Sequence, residues 1–223
     1  MTCGIVAWCF IRFRGTLSAM VNTTCPNCGN DAAPALESLR MTTCASCGTT
    51  LFIHDERMEL AGEQGVMHEA SMLFGLGDRV ILPRGHFTAL GHARYSYGRG
   101  VWDEFWGLDE EDMPCWLSVD EGDLVLQYAL PTKRYPDVNR VPLLGHVFEW
   151  DYTRFTVSEL DEASCVALRG SFQDVPEVGE TYTFFNCTGD DMRLLSGEFW
   201  TGGQAWYIGH WHDPFEVRVE RAA

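Results

Sequence analysis

The 223 residues predict an all-β protein, with an N-terminal zinc ribbon followed by an antiparallel β-barrel or β-sandwich domain. Three observations carry this. A Cys-x-x-Cys-Gly phrase occurs twice, in "TTCPNCGN" at 23–30 and "MTTCASCGTTLF" at 41–52, with fifteen residues between Cys28 and Cys44. From Leu76 onward, short runs rich in Val, Ile, Phe, Tyr and Trp are divided by Gly, Asp and Pro, the rhythm of strands and hairpins. The chain is also 46% hydrophobic, with thirteen Phe and eight Trp, enough to fill a core.

Residues 1–20 are expected to be a leader, either disordered or a mis-assigned start. No basic residue precedes the apolar run "CGIVAWCFI", and Arg12 interrupts it far short of the roughly 20 residues of a membrane span. Met20 opens "MVNTTCPNC" just ahead of the first cysteine pair, and is the expected true start.

The ribbon is expected at 21–54. Cys25 and Cys28 form one knuckle, Cys44 and Cys47 the other, and the C-x2-C-x15-C-x2-C spacing presents four sulfurs to one ion. Gly29 and Gly48 follow the second cysteine of each pair, where the chain leaves a cramped turn. Four sulfur ligands close the shell to a water nucleophile, so the expected cofactor is one structural zinc. So short a unit folds on its metal, and its core is expected to be local.

Residues 55–75, "DERMELAGEQGVMHEASMLFG", read as a linker or short helix with two internal glycines. The all-β domain is expected at 76–223, in runs such as "RVILP", "FTALGHARYSY", "DLVLQYAL", "YTRFTVSEL" and "QAWYIGHWH". "PTKRYPDVNRVP" carries three prolines and marks a connecting loop over 131–143, which separates halves at 76–130 and 144–223. The halves echo each other weakly: Ala-Leu, an aromatic strand, an acid pair before Met, and Leu-Ser before an acid recur in both. Duplication gives such an echo, and so do recurrent hairpins.

Charge narrows the partners. The formal net charge is −16, with fifteen Arg and only Lys133, and the ribbon segment 21–60 offers only Arg40 and Arg57. Nucleic acid is therefore not an expected partner. The acidity concentrates at 101–125, with nine Asp or Glu and no Lys or Arg, a field that attracts basic proteins, cations or polyamines. Nine cysteines is an odd number, and outside the two knuckles Cys3, Cys9, Cys115, Cys165 and Cys187 show no pairing rhythm, usage that suits a reducing cytoplasm; no segment reads as an integral membrane span.

Two constellations are candidate sites. In "VWDEFW" a strand places Trp102, Glu104 and Trp106 on one face, with Val101, Asp103 and Phe105 on the other. A carboxylate between two indoles can hold an ammonium group by charge and cation–π attraction. The competing reading has Glu104 anchoring a neighbouring strand through Arg94 or Arg99 while the Trp residues pack a core. The candidate ligand or partner surface is Trp102, Asp103, Glu104, Trp106 and Trp116. In "GHWHDP", His210 and His212 share a strand face beside Asp213 and can supply two metal ligands, as a metal-dependent hydrolase requires, although nothing in the sequence supplies the remainder. No phosphate loop, nucleophile elbow or zinc-protease helix is present.

The stretch "LGHARYSYGRGVWDEFWGLDEEDMPCWLSVDEGDL", preceded by "FGLGDRVILPRGHFTALG", resembles a bacterial family catalogued as domain of unknown function 4178. The likeness is good over roughly 25–130 and looser beyond. It implies an all-β module without established enzyme activity, a double Cys-x-x-Cys ribbon ahead of it, and relatives encoded beside membrane-stress and polyamine-synthesis proteins. The expected function is a non-catalytic adaptor or binding protein with a protein partner. An organic-cation (polyamine) module and a hydrolase using His210 and His212 are the alternatives.

Overall fold

The computed structural model describes residues 23–54, 57–60, 71–138 and 140–222. The expected leader, the start at Met20 and most of the 55–75 segment lie outside the described residues. The two knuckles close on themselves, Gly29 N donating to Cys25 O (2.9 Å) and Gly48 N to Cys44 O (2.8 Å), each glycine at a positive φ. Beside them run β1 (Met41–Thr43), β2 (Thr50–His54) and β3 (Arg57–Leu60), an antiparallel three-stranded sheet. β3 corrects two expectations: the ribbon sheet runs past 54, and part of the presumed linker is strand. Its Met58 is buried, so the alternation of "RMEL" outweighs the helix-forming character of the letters around it.

The second sheet contains β4 (Arg79–Ile81), β5 (His86–Ser96), β6 (Val101–Asp109), β7 (Pro114–Asp120) and β8 (Asp123–Ala129). It continues through β9 (Val147–Trp150), β10 (Thr153–Gly170), β11 (Thr181–Gly189), β12 (Arg193–Trp200), β13 (Gly203–His212) and β14 (Arg218–Glu220). The strand order is β14-β4-β5-β6-β7-β8-β13-β12-β11-β10-β9, and a further pairing of β5 with β10 joins the sheet to itself. Eight strands, β5-β6-β7-β8-β13-β12-β11-β10, therefore form a closed antiparallel ring, and the architecture is a barrel. β10 makes closure possible because it is long: its first part pairs with β9 and β11, and its last residues, beyond a bulge at Cys165/Ala167, pair with β5. Between β8 and β9 the chain forms one 3-10 turn, Thr132–Arg134, and no described strand.

Each half of the chain supplies a short strand and a four-stranded meander, β4 then β5–β8, and β9 then β10–β13. The sequence echo falls on this repeat, with Leu117-Ser118 on β7 and Leu195-Ser196 on β12 in the same place in each meander.

Period-two alternation gives the ring two faces. Outward residues of β5–β8, among them Phe87, Phe105, Leu117 and Leu124, are covered by Phe74, Val80 and Leu82. Outward residues of β10–β13, including Phe155, Phe185 and Trp206, are covered by Phe148, Trp150 and Tyr135. The ribbon's core is not local. Leu39, Met41 and Leu51 share one buried cluster with Trp106 and Phe172 of the barrel, and β1 reaches Phe172 through an antiparallel bridge. The expectation failed because three short strands leave the apolar side chains of β1 and β2 one open face, and the barrel covers it.

Candidate functional site: a carboxylate-lined barrel cavity

All eight strands of the ring turn side chains toward a cavity of about 650 Å³. An eight-stranded barrel is the size at which the interior is either filled by side chains or holds one small ligand. Here it is left open. Eight of the lining residues are Asp or Glu, and among the described residues no Lys, Arg or His lines it. Asp120 and Asp123 on one turn, and Asp174 and Glu177 on the loop after β10, are exposed and form the rim.

Glu104 and Glu198 sit deeper. They come from β6 and β12, four strands apart in a ring of eight and so on opposite sides. Trp102 Nε1 donates to Glu104 Oε1 at 3.1 Å. The Glu198 side-chain carboxyl accepts no hydrogen bond from another described residue and opens onto the cavity. Burial pushes the Glu104 carboxyl up to about 7, the Trp102 bond opposing it in part. Burial first, and then the charge of Glu104, push Glu198 up to about 8.

Aromatic rings form the walls around them. Trp102 stacks on Tyr95 with centroids 5.2 Å apart and lies 5.2 Å from Phe184, while Tyr95 meets Tyr182 edge-on at 5.9 Å. The hydroxyls of Tyr95, Tyr182 and Tyr207 make no hydrogen bond within the described residues. Burial, reinforced by the two carboxyls, raises all three phenols, which stay neutral donors at any physiological pH. Ser196 Oγ lies 2.7 Å from Asn186 Oδ1 and 2.8 Å from Gln127 Oε1, which orients those two amides on the wall. The arrangement offers two half-buried carboxyls that ionise near neutral pH or above, π faces and unpaired hydroxyls, and no positive charge.

The sequence-derived surface divides here. Trp102, Glu104 and Trp116 line the cavity. Trp106 is buried in the cluster shared with the ribbon. Asp103 belongs to the opposite face of β6, as alternation requires, and is not part of this surface. It accepts from His92 Nε2 (2.6 Å) and Arg94 Nε (2.9 Å), while Arg169 Nε donates to His92 Nδ1 (3.0 Å). That last bond fixes His92 as the neutral Nε2–H tautomer. Burial alone would raise the Asp103 carboxyl, but its two donors hold it below the ordinary value. The group clips β5, β6 and β10 at the seam where the ring closes. The suggested anchoring of Glu104 by Arg94 or Arg99 does not occur: Arg94 pairs with Asp103 and Arg99 with Asp161.

Four residues central to the cavity, Glu198, Tyr95, Tyr182 and Tyr207, are not singled out by the sequence. One signal points to Glu198: Glu-Phe-Trp at 104–106 recurs at 198–200.

The four ribbon cysteines are the one group of three or more Cys, His, Asp or Glu among the described residues placed to hold a metal ion. Their sulfurs lie within 4.8 Å of one another. Cys25 Sγ is 3.8 Å from Cys47 Sγ, and Cys28 Sγ is 3.7 Å from Cys44 Sγ, edges of a tetrahedron that one ion can fill. His210 and His212 on β13 gain no third ligand, and Asp213 is engaged in capping its own turn through Phe215 N. The alternative metal site is thus incomplete. A His210→Ala, His212→Ala double variant should keep the parent's metal content by elemental analysis.

These features define an all-β barrel protein with an internal cavity and an appended four-cysteine ribbon. The family described as domain of unknown function, DUF4178, matches residues 75–214, more than half of the chain, and the protein belongs to it. The matched segment spans the barrel, both meanders included, and omits the ribbon. The resemblance read from the sequence places the family likeness instead at the ribbon and first meander, with the second half loose. No curated protein and no solved structure matches the chain. Among the described residues no helix is long and apolar enough to cross a membrane.

Proposed function

We propose that this is a non-catalytic, zinc-stabilised binding protein whose barrel takes a small organic cation, with a polyamine as the ligand class. The observation that carries the reading is the cavity itself, where two carboxylates face each other among aromatic rings with no side-chain cation to neutralise them. Two half-buried carboxyls facing a confined cavity with no cation beside them ionise reluctantly, and an ammonium ligand supplies the missing counter-charge while its methylenes lie against the rings. Polyamine binding also fits the polyamine-synthesis and membrane-stress neighbourhood implied by the family resemblance. A loaded barrel that then meets a protein partner is the adaptor role in this scheme.

The ion we assign to the ribbon is zinc. Four thiolates at a Zn–S length of about 2.3 Å make a tetrahedron with edges of about 3.8 Å, and the sulfur separations of 3.8 and 3.7 Å support this choice of ion. With all four positions taken by sulfur, the ion is structural. The setting we propose is a bacterial cytoplasm, in keeping with seven described cysteines of which none forms a disulfide. Protein purified without chelators should carry one zinc per chain by elemental analysis, and the absence of zinc would overturn this assignment.

Thermal denaturation tests the cavity reading. At about a hundredfold excess over its Kd, a ligand stabilises by about 2.7 kcal/mol, which for a chain of this size is roughly 5–10 °C. Spermidine at low salt should raise the melting temperature by that much, and a neutral polyol of similar length should not. Equal effects from the two, or none from either, would remove the cation.

A further inference from the structure

The loop between β10 and β11, residues 171–180, joins the barrel cavity to the ribbon. Its outer part lines the cavity through Asp174, Val175, Pro176 and Glu177. Its first residues are clasped by the ribbon. Arg40 N and Met41 N both donate to Phe172 O (2.8 and 3.2 Å), Phe172 N donates back to Met41 O (3.1 Å), and Thr42 Oγ1 meets Ser171 Oγ at 3.2 Å. The Phe172 ring is fully buried, 5.9 Å from the Trp116 ring that lines the cavity. Gly91 makes room for that ring, since a Cβ there would stand 2.7 Å from it and 2.5 Å from Ser171 O. At the far end Gly179 N donates to Cys165 O (2.8 Å). Between these anchors, Gln173 to Val178 make no backbone hydrogen bond to another described element except the Val178 bridge to Cys165. The ribbon strand that grips Phe172 ends at Thr43, and Cys44, one of the four clustered cysteines, is the next residue.

We propose that residues 171–180 form a lid on the barrel cavity and that metal loading of the four cysteines holds it shut through β1. The inference rests on the cavity and the four-cysteine centre as binding sites, and it assigns the ribbon a role besides its own folding. With the ion bound, the knuckle at Cys44 fixes the end of β1, and β1 fixes Ser171 and Phe172. When the ion leaves, a unit this short keeps only its strand pairings, its few bonds to Ser171 and Phe172 and its apolar packing; the bonds from Arg40, Met41 and Thr42 open, Ser171 stays on β5 through its N–H to Leu90 O (2.8 Å), and the segment that carries Asp174 and Glu177 over the cavity is freed from Phe172 onward.

Hydrogen exchange on the full-length zinc protein tests this without any cation ligand, so the fate of the polyamine reading does not affect it. Stripping the zinc with a chelator should speed exchange of the Met41 and Phe172 amides by at least about tenfold, leave β6, β7 and β12 protected, and reverse when zinc is restored. Acrylamide quenching of tryptophan fluorescence should rise in parallel, because Trp102 and Trp116 line the cavity. In a Gly91→Ala variant, where the added methyl unseats Phe172, these amides should exchange fast with zinc bound, and chelation should add little. Unchanged protection at Phe172 after thiol titration shows the four cysteines free would overturn the proposal. Loss of protection throughout β5–β13 would do so equally, because the metal would then hold the whole barrel and not a lid.

Discussion

The empty barrel should melt at a lower temperature at pH 9 than at pH 6, and replacing Glu104 and Glu198 together by Gln should remove most of the difference. Both carboxyls have folded pKa values, about 7 and about 8, raised above the ordinary 4.5 by burial. A group raised in the folded state contributes stability that is present below its unfolded value and lost as pH climbs through the folded one. The loss therefore runs from about pH 4.5 to about pH 8, and the step from pH 6 to pH 9 captures its upper part. Discounting for solvent inside the cavity, the two together should cost on the order of 3 kcal/mol at the alkaline end, or roughly 6–12 °C. The buried thiols of Cys115, Cys165 and Cys187, pushed up to about 12, titrate above this range. A cation ligand should reverse the trend by making the ionised state the favoured one. Equal pH profiles for parent and double variant would show that these carboxyls are solvated like any surface pair.

Asp103→Ala should destabilise the protein by about 3–5 kcal/mol, because it removes one carboxylate from a buried group of charged partners. The Asp103 and Arg94 side chains are only 13% and 11% exposed and His92 not at all, so water cannot replace the lost bonds. Its position enlarges the effect. Arg169 and His92 face each other across β10 and β5, the pairing that closes the ring. Asp103→Asn keeps the shape and one acceptor and should cost less than Ala. Since the Asp103 carboxyl is held below its ordinary value, its contribution is present at neutral pH and should fade only as pH falls below about 4. Urea unfolding of the three proteins measures all of this, and a loss under about 1 kcal/mol for Ala would mean the seam is held by packing alone.

Much of this was legible in the sequence. The knuckle spacing places four sulfurs together because a Cys-x-x-Cys turn is a local structure, closed by bonds such as Gly29 N to Cys25 O. The strands were legible because alternation is also local, and it put Trp102 and Glu104 on one face and Asp103 on the other. Ring closure was not. It depends on the length of β10 and on a bulge at Cys165/Ala167, which no periodicity announces. The partnership of Glu104 with Glu198 depends on two strands lying opposite each other, which is a property of strand order. The ribbon's attachment was hidden for the same reason: Met41 and Phe172 meet from opposite halves of the chain, and both read as ordinary core residues.

In the proposed binding mode, Glu104 and Glu198 take up a cation by giving up protons. Titration calorimetry of spermidine at pH 7.5 and low salt, in two buffers of different ionisation enthalpy, decides whether they do. At that pH the Glu198 carboxyl is mostly protonated and Glu104 partly so. Binding should therefore release protons to the buffer, release should shrink as pH rises through the two carboxyl values and give way to proton uptake by the ligand's own amines near pH 9, and added salt should weaken the affinity. Replacing either glutamate by Gln should lower the affinity by at least about tenfold, the loss of one buried charge-assisted contact. Binding with no proton release and no change in either Gln variant, or no binding at all, would contradict it.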